Sequence, residues 1–285
     1  MALIHNRYRP VRKLAHTTYG GIYLCNDEMI QSHPVVLKCV SLLRAIHMLD
    51  QYKPNLQLPD DPRQEKAFAN FQRVSHPHLV KYLDDFVEGH TLYFVLEYCA
   101  GGDLYASVNR GQNRRLDGVD ALAVIKQVAE GVAYLHSHNF AHRDLSLENI
   151  MLNQGVFKIG DFGLSTRTDQ LCFESVGKAY YMAPEVVAPK VMYDPKAADM
   201  WSLGIILFIL VTGSPLVPLA TEEDSAFRVF KKVGVREVLV AWRMADVLDE
   251  RALKLLDGLL QCDPKKRMTV EQVLSHDAFN RKAKA

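Results

Sequence analysis

Four side chains in this sequence stand at spacings suited to work on a phosphate: Lys38, Asp144, Asn149 and Asp161. Phosphoryl transfer asks a protein for little covalent chemistry. It needs cations against the phosphates, hard oxygen ligands for a metal ion, and a carboxylate to orient the attacking hydroxyl. Asp161 follows the apolar strand pattern 156–159. A carboxylate at a strand end can hold Mg²⁺ between phosphates, because that hard cation prefers oxygen. Lys38 closes the apolar run Val35-Val36-Leu37-Lys38, where an ammonium group can pair the α- and β-phosphates; the plainer alternative is an edge-strand lysine facing solvent. Asp144 and Asn149 fall in His142-Arg143-Asp144-Leu145-Ser146-Leu147-Glu148-Asn149, which taken alone is also a capped turn after a helix ending near His138.

The elements that must position these groups change character along the chain. Residues 8–14, 22–26 and 34–40 alternate as short strands, with Gly20-Gly21 as a turn signal. Residues 60–74 read as a helix: Asp61 can cap it, Pro62 suits its first turn, and Phe68, Phe71 and Val74 share a face. Residues 79–87 and 91–97 are strands around Glu88-Gly89-His90, and residues 41–59 read as a long connection. Beyond Cys99-Ala100-Gly101-Gly102 the pattern turns helical: a long helix over 119–136, two short strands around Ile150 and Lys158, then helices near 197–212, 222–232, 249–261 and 269–276.

With 285 residues, 48% apolar and 24% charged, the chain can bury a large core. A net charge of +1 argues for neither nucleic acid nor an acidic membrane as partner. Five scattered cysteines with no Cys-x-x-Cys speak against a disulfide framework or zinc site and suit a reducing, intracellular and cytoplasmic setting. Residues 1–10 carry no apolar secretory core, and the longest apolar run, 203–211, is too short to span a bilayer.

In this order, the motifs resemble the eukaryotic-type protein kinase catalytic domain, serine/threonine branch, over roughly residues 8–280. His142–Asn149 resembles the catalytic loop, Asp161-Phe162-Gly163 the metal-binding motif, and Leu96–Asp103 the hinge. Ala183-Pro184-Glu185 and Asp199-Met200-Trp201-Ser202-Leu203-Gly204 also match the pattern. The resemblance implies an α+β, bilobal fold across 1–285: a strand-rich small lobe (1–97), a hinge (97–102) and a helical large lobe (103–285). It implies ATP and Mg²⁺ as cofactors, with Asp144 as catalytic base, Asn149 and Asp161 as metal ligands, and Lys38 on the phosphates. The backbone of Glu97 and Cys99 would meet the adenine edge, with Leu96 as gatekeeper and Asp103 at the ribose. Leu14, Ile22, Val36 and Met151 would sandwich the ring, below a loop that keeps Gly20. Asp199 would orient the catalytic loop, and Arg267 would pair with Glu185.

Four departures stand out. Ala15 and Thr17 replace two glycines of the phosphate loop, which restricts close backbone approach and weakens ATP binding. Ala67 occupies the place of the glutamate that pairs with Lys38; Glu65 lies two residues earlier, about 200° round an ideal helix. The helix shifts, Glu65 swings in, or the pair is missing. Ser146 and Leu147 replace the Lys and Pro of the serine/threonine catalytic loop, and Gly177-Lys178 replaces Gly-Thr. The last two exchange a cation and a hydroxyl, so Lys178 is expected to act as the missing catalytic-loop lysine.

The rival reading is a pseudokinase serving as a nucleotide-binding or scaffold module, favoured by Ala67 and the depleted loop and opposed by Lys38, Asp144, Asn149 and Asp161. Tyrosine specificity fits less well, because Tyr180-Tyr181-Met182 looks like the serine/threonine version. Expected partners are protein substrates with upstream basic residues, met by Asp103 and Glu148 although Ile209 fills a third, often acidic, position; no nucleic acid and no membrane insertion are expected, and oligomeric state is not readable. Leu164 suggests a preference for serine over threonine. Glu174 sits where an activating phosphate often stands, so activation without phosphorylation is expected, with Ser175 and Thr168 as candidate sites.

Overall fold

The computed structural model describes residues 3–51, 62–71, 75–111, 114–188 and 191–280. Its first part is a five-stranded antiparallel sheet: β1 (Tyr8–Thr17), β2 (Gly20–Asp27), β3 (His33–Ser41), β4 (Tyr82–Glu88) and β5 (Thr91–Glu97). The strand order is β1-β2-β3-β5-β4, so β3 is central and the edge-strand reading of Lys38 does not hold. Side chains alternate across a strand. Val35 and Leu37 therefore enter a satellite core with Tyr8, Cys25 and Val95, while Val36, Lys38 and Val40 face the other way.

Residues 41–59 are not wholly a connection. Helix α1 (Leu42–Gln51) fills their first half, with Leu42, Ala45 and Met48 packed against the core at helical spacing. Helix α2 (Pro62–Phe71) follows; Asp61, Val74 and the side chain of Phe71 lie outside the described residues. Its buried stripe is Pro62, Glu65, Phe68 and Ala69, an i, i+3, i+6/i+7 series that carries one carboxylate. Leu79 does not belong to β4: it bridges Ile159, tying this loop to the other part of the molecule.

The chain crosses over between Glu97 and Asp103 into a helical part. There α3 (Leu104–Arg110) and α4 (Gly118–Ser137) are capped by Asp103 and Asp117, whose carboxylates accept from N–H groups of the first turn. Two short antiparallel pairs follow, the hairpin of β7 (Ile150–Asn153) with β8 (Val156–Ile159), and β6 (Phe140–Ala141) with the more distant β9 (Thr166–Arg167). After α5 (Pro184–Val187) comes α6 (Pro195–Thr212). Its length and composition would let it cross a membrane, but 83% of it is buried at the centre of this part. Helix α7 (Ser225–Ala241) runs nine residues past the expected end; Gly234, at φ 80°, kinks the chain and lets the helix resume. Helices α8 (Glu250–Leu259) and α9 (Val270–Leu274) complete the lobe. The result is the expected bilobal α+β architecture.

Candidate active site

A cleft of about 810 Å³ opens between the two lobes. Leu14, Ile22, Val36 and Met151 line it, as do Glu97, Cys99 and Asp103 on the crossover. Lys38, Asp144, Asn149, Asp161 and Lys178 converge on the same space. Gly20 does not line it. A Cβ there would come within 2.3 Å of the Cys39 carbonyl oxygen, so the close pairing of β2 on β3 requires a glycine at this position.

Lys38 is buried and held by two carboxylates, Glu65 Oε2 and Asp161 Oδ1, each 2.9 Å from its Nζ. Burial pulls the ammonium down, and the two opposing charges outweigh it, so its pKa is raised. Of the three geometries left open for the glutamate, the structure shows Glu65 in the pair. Tyr82 adds a hydroxyl donated to Glu65 Oε1 at 2.8 Å, a partner with no sequence signal. The Lys38 ammonium in turn holds the Asp161 carboxyl down at about 2.

Asp161 and Arg143 both adopt left-handed backbone, at φ 57° and 63°, a region non-glycine residues rarely occupy. The surroundings enforce it. Buried Asp199 on α6 accepts from the backbone N–H groups of His142 and Arg143, both at 2.8 Å, and lies 3.0 Å from His136 Nε2. His142 Nδ1 accepts from the Asp144 N–H, which leaves Nε2 to donate to the Gly160 carbonyl at 3.0 Å. Phe162 stacks on Phe68 of α2 at 4.1 Å and meets His142 edge-on, so rings pack continuously from α2 to the loop bearing Asp144.

Asp144 is fixed through one oxygen. Its Oδ2 accepts from Asn149 Nδ2 at 2.7 Å and from Lys178 Nζ at 2.8 Å. Lys178 also donates to Ser146 Oγ at 3.0 Å. The other carboxylate oxygen, Oδ1, is buried without a hydrogen-bond partner. Because Asn149 spends its amide hydrogens on Asp144, its carbonyl oxygen is the atom left for a ligand. That oxygen and the half-exposed Asp161 carboxylate form a hard-oxygen donor set fitting Mg²⁺.

The protein kinase domain family matches residues 8–279 of the chain. The chain belongs to that family. Serine/threonine-protein kinase PLK4 of Drosophila grimshawi is 36% identical over 208 residues, covering 72% of this chain and 26% of that protein. CBL-interacting serine/threonine-protein kinase 12 of Arabidopsis thaliana is 30% identical over 286 residues, covering 98% of this chain and 54% of that protein. The chain thus spans from about a quarter to about half the length of these relatives.

Other parts of this kinase domain sit around the same centre. Arg143 donates to the Leu164 carbonyl at 2.8 Å and to Glu174 Oε2 at 3.0 Å. Arg267 grips Glu185 with two nitrogens, at 2.6 and 3.0 Å, a buried bidentate pair tying α5 to the end of the domain. Cys99, on the crossover, makes no hydrogen bond through its backbone N–H among the described residues, so that donor is left for a ligand edge. Burial pushes its thiol up to about 11, which leaves it neutral. In the sequence Tyr181 served only as a mark of the serine/threonine branch; in the structure its hydroxyl accepts from the Leu147 N–H beneath the catalytic loop.

Proposed function

We propose that this domain transfers the γ-phosphate of ATP to serine and threonine hydroxyls of proteins, with Asp144 as the base. The observation that carries the proposal is the Asp144 carboxylate: Oδ2 is anchored by Asn149 and Lys178, and Oδ1 is buried and unpartnered beside the cleft. A buried acceptor without a donor is unfavourable unless a ligand supplies one. A substrate hydroxyl fits that need. Its oxygen attacks the γ-phosphorus in line, its proton passes to Asp144 Oδ1, and the bond to the β-phosphate oxygen breaks with its electron pair leaving on ADP. Lys38, locked between Glu65 and Asp161, faces the cleft as the cation for the α- and β-phosphates. A magnesium ion held by Asp161 and the Asn149 carbonyl oxygen would neutralise charge between the phosphates.

Substrate preference follows from two acids. Asp103 and Glu148 line the cleft, and Glu148 Oε2 is buried without a hydrogen-bond partner. This supports recognition of basic residues upstream of the acceptor. Leu164 also lines the cleft and supports a preference for serine.

The pseudokinase reading keeps one supporting observation, Ala15 and Thr17 in the phosphate loop. Its other support is gone, because Glu65 supplies the partner that Ala67 does not. A thermal-shift titration with Mg-ATP, together with transfer of radiolabelled phosphate to a serine/threonine peptide library, tests both readings. Expected are stabilisation by nucleotide and label transfer that falls at least about 10²-fold in Asp144→Asn. Stabilisation without transfer would favour the pseudokinase.

A further inference from the structure

Residues 174–178 touch the dipeptide Arg143-Asp144 at three points. Glu174 Oε2 lies 3.0 Å from Arg143 Nη1, and Lys178 Nζ lies 2.8 Å from Asp144 Oδ2. Between them Gly177, at φ 104°, packs so closely that an added Cβ would come within 2.8 Å of the Arg143 carbonyl oxygen. An acid and a base on one segment thus meet a base and an acid on the other, in crossed sense. The Arg143–Glu174 pair is largely buried, with side-chain exposures of 3% and 10%. Tyr193 fixes the same turn from outside, donating its hydroxyl to the Glu174 carbonyl at 2.8 Å. The Lys178–Asp144 pair is more open on the lysine side, at 38%, so the ammonium faces the cleft while held.

Position 146, two residues past Asp144, holds only a hydroxyl, and that hydroxyl receives the Lys178 ammonium at 3.0 Å. Lys178 is therefore the ammonium in contact with the Asp144 carboxylate, and it comes from a separate segment.

We propose that Lys178 is the catalytic cation at Asp144, delivered only while residues 174–178 are docked by the Glu174–Arg143 pair. This rests on the phosphotransfer reading and adds its regulation. A lysine on the catalytic loop would be present whatever the segment does. Here undocking withdraws the cation together with the segment, so the loop-to-segment contact is itself the switch. Lysine suits the part, since its ammonium is a point charge on a flexible stem, and charge at the transferring group strengthens in a water-poor site.

A mutant cycle tests the coupling. Glu174→Ala and Lys178→Ala should each lower kcat on a serine/threonine peptide library by at least about tenfold, with ATP KM little changed. The double variant should lie within about threefold of the singles, because both changes remove one event. Additive losses overturn the proposal. The pair Ser146→Lys with Lys178→Thr moves the cation onto the catalytic loop. In that background Glu174→Ala should lower kcat by less than about threefold, and a full tenfold loss there overturns it. If that background is inactive, the native cycle decides. Hydrogen exchange gives an activity-free readout: Glu174→Ala should raise exchange over residues 174–180 more than over the core helices of the domain, and unchanged exchange there defeats the docking. If the unaltered chain transfers no phosphate at all, the phosphotransfer reading fails, and the exchange experiment still reports on the clamp.

Discussion

Glu65 Oε2 stands 2.9 Å from Lys38 Nζ, and both side chains are almost wholly shut off from solvent. This contact joins α2 to the central strand of the sheet and sets the direction of the lysine. Removing one partner of a buried ion pair leaves the other uncompensated, typically at several kcal/mol. Asp161 remains beside Lys38, so the loss here is smaller. Glu65→Gln should destabilise the domain by about 2 kcal/mol and lower kcat/KM for ATP at least about tenfold, or ~1.4 kcal/mol. Denaturant melts and steady-state kinetics check both. Normal kinetics in Glu65→Gln would mean that the pair does not position Lys38.

This same pair marks where the sequence stopped being legible. Lys38, Asp144, Asn149 and Asp161 were readable because each sits in a short local motif and the motifs keep one order. Glu65 was not, because its role depends on the phase of α2. Counting back from His76-Pro77 points to Ala67, whereas the burial stripe Pro62-Glu65-Phe68-Ala69 points to Glu65. A carboxylate on that otherwise apolar stripe was the available signal. Helix α1 was missed for a related reason: Leu42, Ala45 and Met48 form its inward stripe, but three apolar positions in a short segment do not fix a helical phase without the core they pack against. The meeting of Lys178 with Ser146 was readable only as an exchange of residue types; that one ammonium reaches both Ser146 and Asp144 is a fact of the fold.

The Asp161 carboxyl predicts a pH signature. Lys38 is the main cause of its depression to about 2, against burial, which raises it. An unfolded aspartate titrates near 3.9, roughly. A folded pKa below the unfolded one contributes stability that is present above about pH 4 and lost as pH falls toward about 2. In the nucleotide-free domain, carboxyl NMR should place Asp161 well below the other surface aspartates. In Lys38→Met its midpoint should rise by at least about one pH unit, because the main group that lowers it is gone while burial still raises it. A midpoint that stays near 2 in that variant would assign the depression to another group.

The phosphate loop predicts a trade between binding and order. Thr17 pairs with Gly20, so Thr18 and Tyr19 form a two-residue turn, and the Ser41 N–H holds the Tyr19 carbonyl at 3.0 Å. The hairpin is therefore pinned to the end of β3. Ala15→Gly with Thr17→Gly should lower ATP KM by about threefold, by allowing closer backbone approach, and destabilise the domain by about 1 kcal/mol through added chain entropy. Kinetics and thermal melts read the two effects separately. A KM that rises would show that the side chains at 15 and 17 contribute contacts the glycines cannot.

Glu148 offers the sharpest test of substrate class. It sits one residue before Asn149, in the short turn 147–149 following Asp144, and lines the cleft. One of its carboxylate oxygens is buried with no hydrogen-bond partner. Desolvating a carboxylate oxygen without a donor is unfavourable, and a guanidinium from a bound peptide would satisfy it with a charge-assisted hydrogen bond. Asp103 cannot take over fully, since its Oδ1 already caps α3 by accepting from the Ala106 N–H at 2.7 Å. Ile209 adds no charge. One dominant acid implies a modest preference, so a peptide library should show arginine enrichment upstream of the acceptor of a few-fold. Glu148→Gln should erase most of it, raising KM for arginine-bearing peptides about fourfold, or ~0.8 kcal/mol, while peptides lacking arginine change by less than about twofold. The glutamine keeps shape and one acceptor for the neighbouring Tyr181 hydroxyl, so the loss reports charge. Equal effects on both peptide sets would instead make Glu148 a structural acid of the catalytic loop, and the basic-substrate reading would fall with it.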